Sequence, residues 1–131
     1  MAQTLATLQA IAAVLGVDVA KSFDGPISTL LVSGAIPIDQ DRHFVLSLPA
    51  GAGAFTVAAP GAANIGRLLE LSTGTDFAHV VTFTGATLFD GTAGANTTWT
   101  ATALQGCCLR VRGVTAVKWN VISFNLGVIA P

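Results

Sequence analysis

Apolar positions along this chain follow two rhythms. In "QTLATLQAIAAVLG" (3–16), Leu5, Leu8, Ile11, Ala12 and Leu15 recur at spacings of three and four, which paints one stripe of a helix. Thr4 stands where a cap would open that helix and Gly16 where one would close it. "DGP" at 24–26 then signals a turn. From residue 42 the period drops to two. "RHFVLSL" (42–48) sets Phe44, Leu46 and Leu48 on one side, and "AFTVAAP" carries Phe55 and Val57. "GRLLELST" and "HVVTFTG" follow, with "GTD" (74–76) between them as a hairpin turn. "TTWTATAL" (97–104) places Trp99 opposite Thr98, Thr100 and Thr102, after a Gly-rich turn in "FDGTAGAN" (89–96). The pattern predicts a mainly β protein. It is expected to be a compact antiparallel β-sandwich or barrel of about seven strands, with a short N-terminal helix or arm. Residues 1–35 form the predicted arm or attachment segment and 36–131 the β-rich body. No fixed-period repeat is visible.

The densest chemistry lies in "GCCLRVRGVTAVKWNVI" (106–122). Successive side chains of a strand point to opposite faces. Cys107, Leu109 and Val111 therefore share one face, and Cys108, Arg110 and Arg112 the other. A vicinal disulfide would demand a distorted peptide, and two cysteines with no nearby histidine do not complete a zinc shell. Cys107 reads as a small core residue and Cys108 as an unpaired thiol near the surface. "GVTA" (113–116) makes the turn, and Val117, Trp119 and Val121 supply the buried face of the returning strand. Beyond Val121 the parity changes: Ile122, Phe124, Leu126 and Val128 fall on the opposite face from Trp119. Either a bulge resets the register, or the last strand is apolar on both sides and faces a neighbouring subunit. The scarcity of charge favours the second.

That scarcity is the main message of the composition. Of 131 residues, 10% are charged and 52% hydrophobic, against roughly 25% charged in an average soluble domain. The length suits one domain with a real core. A body of this size leaves about a third of its unfolded-chain surface in water, and thirteen ionic side chains (six basic, seven acidic) cover it thinly. Burial against other copies is the expected remedy. A net charge of −1 with six dispersed Lys and Arg residues argues against a nucleic-acid partner. The run "AIAAVLGV" (10–17) falls short of the roughly 18 residues a membrane-spanning helix needs. With the first basic residue at Lys21, no cleaved leader is expected. The chain is expected to be made in the cytoplasm, without a membrane partner, and the Asn96-Thr97-Thr98 sequon to be idle.

Candidate reactive groups are few. In "DQDRH" (39–43) Asp39, Asp41 and His43 alternate onto one face, but a hard cation needs six or more oxygens and a solvated polar turn is the simpler reading. Asp76 and His79 in "DFAH" lack an adjacent nucleophile. "GAANIGRL" (61–68) has the glycine spacing of a phosphate loop, yet Arg67 and Leu68 replace the required Lys and Ser or Thr. Glu70 is the only glutamate; it faces a partner's arginine as readily as a substrate. With two His and no Tyr, no enzyme activity, cofactor or metal is expected.

The body from about residue 42 resembles the head-decoration, or head-fibre, proteins of tailed bacteriophages. The likeness is carried by "FVLSLPAGAGAFTVAAP", "GRLLELSTGTDFAHVVTFTGATLFDG", "TTWTATAL" and "GCCLRVRGVTAVKWNVI". It is a succession of strand and turn flavours covering roughly three quarters of the chain. The resemblance implies a compact β-rich homotrimer on the capsid exterior, bound to the major capsid protein lattice at threefold or quasi-threefold points. Ile122, Phe124 and Leu126 become the candidate trimer interface. Leu5, Leu8, Ile11 and Leu15 become candidate capsid-attachment residues that dock on the capsid or on a sister subunit, or else a cap on the body itself. The alternative is a fibre or tail module that binds host-surface glycan, which would want exposed aromatic platforms.

Overall fold

The computed structural model describes residues 27–39 and 43–131. The predicted helix, with Leu5, Leu8, Ile11 and Leu15, lies outside the described residues. Eleven strands run through the described chain: β1 (Ile27–Leu30), β2 (Gly34–Ala35), β3 (His43–Leu46), β4 (Ala54–Ala58), β5 (Leu68–Thr73), β6 (Val80–Thr84), β7 (Thr87–Phe89), β8 (Thr98–Ala101), β9 (Cys108–Thr115), β10 (Lys118–Asn125) and β11 (Gly127–Ala130). Among the described residues a single 3-10 turn covers Ala62–Asn64. The protein is mainly β, as the period-two pattern requires.

The strands form two open sheets, β1-β3-β5-β9-β10-β7 and β11-β8-β6-β4-β2. Up to β8, odd-numbered strands lie in the first sheet and even-numbered ones in the second. Pairs β1–β3, β3–β5, β2–β4 and β4–β6 are parallel. The chain thus winds through three circuits, each laying one strand on either sheet, before β8 to β11 fold back antiparallel. Parallel neighbours need a crossover between them, and here the opposite sheet supplies it. Three expectations are corrected. The sheets are mixed rather than antiparallel, the strands among the described residues number eleven rather than about seven, and neither sheet closes into a barrel. The "GTD" segment joins strands of different sheets, β5 and β6, and makes no hairpin. Circuits that begin at Ile27, His43 and Leu68 have unequal lengths, which is why no fixed period shows in the sequence.

The predicted boundary at residue 35 also moves. β1 pairs with β3 and β2 with β4, so residues 27–35 belong to the body and form its first circuit.

One core fills the space between the sheets. Phe44, Leu46, Leu69, Leu71, Leu109, Val111 and Trp119 come from the first sheet, and Phe55, Val57, Val81, Phe83 and Trp99 from the second. Alternation holds strand by strand, for example buried Phe55 and Val57 between exposed Ala54, Thr56 and Ala58. Trp119 closes the stack: its ring meets Phe83 edge-on with centroids 6.4 Å apart, and its Nε1 donates to the Ala58 carbonyl of the other sheet at 3.0 Å.

The change of parity after Val121 has the first of its two explanations. Val121 pairs with Val111 and Ser123 with Arg110, so Ile122 is the extra residue of a β-bulge. The expectation of a strand apolar on both sides is overturned. Past the bulge, Phe124 stands opposite buried Leu109, on the inner face but beyond the cover of the second sheet. The hairpin turn sits at Ala116–Val117 rather than 113–116, which leaves Val117 exposed instead of in the core.

Candidate functional site

The two sheets present different outer faces to their surroundings. On the first, His43 pairs across to Glu70 and Glu70 to Arg110, with Arg112 two positions along β9. The outer face of the second is built from Ala35, Ala54, Thr56, Ala58, Thr82 and Thr84, continued by Val80, Thr98, Thr100 and Val128. No residue of its five strands is ionisable. Thr, Ala and Val on alternate positions give a flat, short-chained surface, which suits close approach of another surface better than hydration by charged groups.

This neutral face runs into the C-terminal crossing. From Trp119 to Pro131 the chain holds no ionisable residue. Ile122, Phe124, Leu126 and Val128 are 43%, 46%, 52% and 65% exposed. Leu126 also holds a left-handed backbone, φ 48°. For a non-glycine residue that conformation costs about 1–2 kcal/mol, and glycine or asparagine would adopt it more cheaply. The predicted interface residues Ile122, Phe124 and Leu126 therefore lie at the surface, and Val128 extends them.

The other predicted groups are spent locally. His43 Nε2 and Ser72 Oγ are 2.8 Å apart, while His43 Nδ1 lies 3.9 Å from Glu70. Glu70 sits closer to Arg110 Nε, at 3.1 Å, an ion pair not oriented as a hydrogen bond. Glu70 thus faces an arginine of its own sheet. This Ser–His–carboxylate succession is a cross-strand ladder on an open face, a contribution of roughly 0.2–1 kcal/mol per pair. Of the "DQDRH" set, Asp41 lies outside the described residues, and among those described no group of three metal-ligating acids, histidines or cysteines comes together.

Asp76 and His79 do not pair. Asp76 Oδ1 accepts from the Gln105 amide at 3.0 Å. His79 is fully buried; its Nδ1 accepts from the Gly53 amide and its Nε2 lies 2.9 Å from Thr75 Oγ1. Burial pushes its imidazole below the ordinary range. Asn96 is buried, with its amide donating to Asp90 Oδ2 at 2.7 Å and to Thr92 Oγ1 at 3.0 Å. The Thr92 hydroxyl and amide donate to Asp90 Oδ1 at 2.7 and 3.1 Å, and these bonds, with the Asn96 bond, hold the Asp90 carboxyl below its usual range. Cys107 is buried and Cys108 half-buried, both free. Trp99 and Trp119 are both in the core, so neither offers a platform to a sugar. No helix among the described residues is long and apolar enough to cross a membrane.

The site that sequence reasoning missed is the neutral outer face of the second sheet. β4, β6 and β8 each alternate threonine with buried residues, but only their pairing with one another and with β2 and β11 makes one surface. Neither a protein-family model nor a curated protein matches the chain.

Proposed function

We propose that this protein is a structural virion protein, a homotrimer that decorates and stabilises a bacteriophage capsid at threefold or quasi-threefold sites. The observation that carries the assembly half of this reading is the uncharged surface formed by the second sheet and the Ile122–Val128 crossing. Covering four large apolar side chains per subunit contributes on the order of 1 kcal/mol each, and closed cyclic symmetry uses the same patch on every copy. In this reading the two sheets form a sandwich whose charged side faces solvent and whose neutral side and C-terminal edge face sister subunits.

The number three and the capsid come from the resemblance of the body, from about residue 42 onward, to head-decoration proteins. Physically, a trimer presents three identical feet, and linked weak feet gain a high effective concentration. Bound trimers stabilise the lattice they prefer by mass action. Residues 1–26, with Leu5, Leu8, Ile11 and Leu15, supply the foot. The glycan-binding alternative is less favoured because both tryptophans serve the core.

Sedimentation equilibrium of the full chain tests assembly: a stable mass of three times 13.3 kDa is expected, and a monomer at working concentration overturns the reading. Capsids incubated with the protein should show ordered density at threefold positions by electron microscopy. Deletion of residues 1–26, which leaves every described strand in place, should abolish attachment and keep the trimer.

A further inference from the structure

Of the four basic side chains among the described residues, Arg110 is paired with Glu70 and Lys118 lies 4.4 Å over the Phe89 ring. The other two, Arg67 and Arg112, line one cleft of about 330 Å³ together with Ala63, Ile65, Gly66 and Leu68. Neither guanidinium has a carboxylate partner among the described residues. Two cationic side chains therefore line one concavity, Arg67 half-buried and Arg112 exposed, and an anion placed in it would be attracted by both.

The cleft is built by backbone rather than by chance approach of two mobile side chains. The Gly66 amide donates to the Gly113 carbonyl at 2.6 Å, and the Gly113 amide donates to the Arg67 carbonyl at 3.0 Å. These bonds clamp the 62–67 turn to β9. Gly113 is required there, because a Cβ would lie 2.6 Å from the Asn64 carbonyl oxygen. Arg67 is further oriented by its Nε, which donates to Asn64 Oδ1 at 3.0 Å. That bond uses only the Nε of the guanidinium. Arg112 projects from the outer face of β9, opposite Leu68, and makes no hydrogen bond or ion pair among the described residues.

We propose that Arg67 and Arg112 form a binding site for a small organic oxyanion, a compound bearing a phosphate or carboxylate group. Planar guanidinium forks match two oxygens of such a group at once, which a lysine does not. Ile65, Leu68 and Ala63 also line the cleft, which is larger than a bare anion needs and leaves room for an organic part. The site belongs to the charged sheet, so it stands whether or not the neutral face assembles as proposed.

The test uses the full chain, labelled with nitrogen-15, titrated with inorganic phosphate and separately with succinate at constant ionic strength held by chloride. Saturable shifts centred on Gly66, Arg67 and the Arg112 side chain are expected with at least one probe; the tighter probe tells phosphate from carboxylate. Arg112→Gln should weaken binding by about tenfold or more, the scale of a lost charged hydrogen bond, without moving Tm, since Arg112 holds nothing else. Arg110→Gln, outside the cleft, should leave affinity within about twofold on the same scale. Arg67→Gln should match Arg112→Gln, and if it fails to fold, Arg112→Gln alone decides. Linear, unsaturated shifts with both probes overturn the proposal, as does equal weakening by Arg110→Gln and Arg112→Gln.

Discussion

Trp119 and Ala58 stand far apart in the chain, yet the indole Nε1 donates to the Ala58 carbonyl at 3.0 Å. This is a polar tie between two sheets that otherwise meet through apolar side chains. Trp119→Phe keeps most of the ring volume but leaves the partly buried carbonyl without that donor. A loss of about 1–3 kcal/mol is expected, read as a lower denaturation midpoint with an unchanged slope.

Leu126 combines an exposed side chain with a left-handed backbone. Leu126→Asn tolerates that backbone and removes the apolar group. The isolated body should gain up to about 1 kcal/mol while self-association weakens. A rise in Tm at high dilution, with a fall in sedimenting mass at the same concentration, is the expected pair of results.

His79 gives the fold an acid sensitivity. Its Nδ1 accepts from Gly53, so the neutral ring carries its proton on Nε2, toward Thr75. Burial holds its folded pKa below the ordinary 6.5. As pH falls through 6.5 the unfolded chain binds a proton that the fold resists. Stability therefore drops with falling pH until the folded ring titrates, and levels off below that. Tm measured between about pH 7.5 and 5 should decline in the native protein. His79→Gln should be less stable at neutral pH and show a flatter profile.

Gly127 lies against Trp99. A Cβ at this position would sit 2.5 Å from Trp99 Nε1 and 2.9 Å from the Thr100 carbonyl oxygen. Neither atom belongs to a flexible chain end. Gly127→Ala should cost about 1–3 kcal/mol as overpacking, with β11 loosened from β8, a change that amide exchange at Val128 and Ala130 would report.

Cys107 and Cys108 are neighbours in sequence with opposite fates. Cys107 is fully buried, and its Sγ lies 3.3 Å from the Thr102 and Leu104 carbonyls. Cys108 is half-buried on the outer face. A thiol reagent should modify one cysteine per folded chain, at Cys108, and reach Cys107 only on unfolding.

Side-chain direction was legible from sequence because it is local: alternation in "RHFVLSL", "AFTVAAP" and "GCCLRV" depends only on the period of an extended chain. It placed Phe44, Phe55, Trp99, Leu109 and both cysteines correctly. It misplaced Val117, which fell in a turn, and the residues after Val121, where one inserted residue reversed the faces. Pairing was not legible. Whether β5 joins β6 or β3 depends on which arrangement buries both sheets' inner faces at once, a sum over the whole chain that no short window contains. Composition alone established that ionic side chains are scarce in this chain. Only the tertiary structure decided where the charge went: crossovers between the sheets gathered His43, Glu70, Arg110 and Arg112 onto one side and left threonine, alanine and valine on the other.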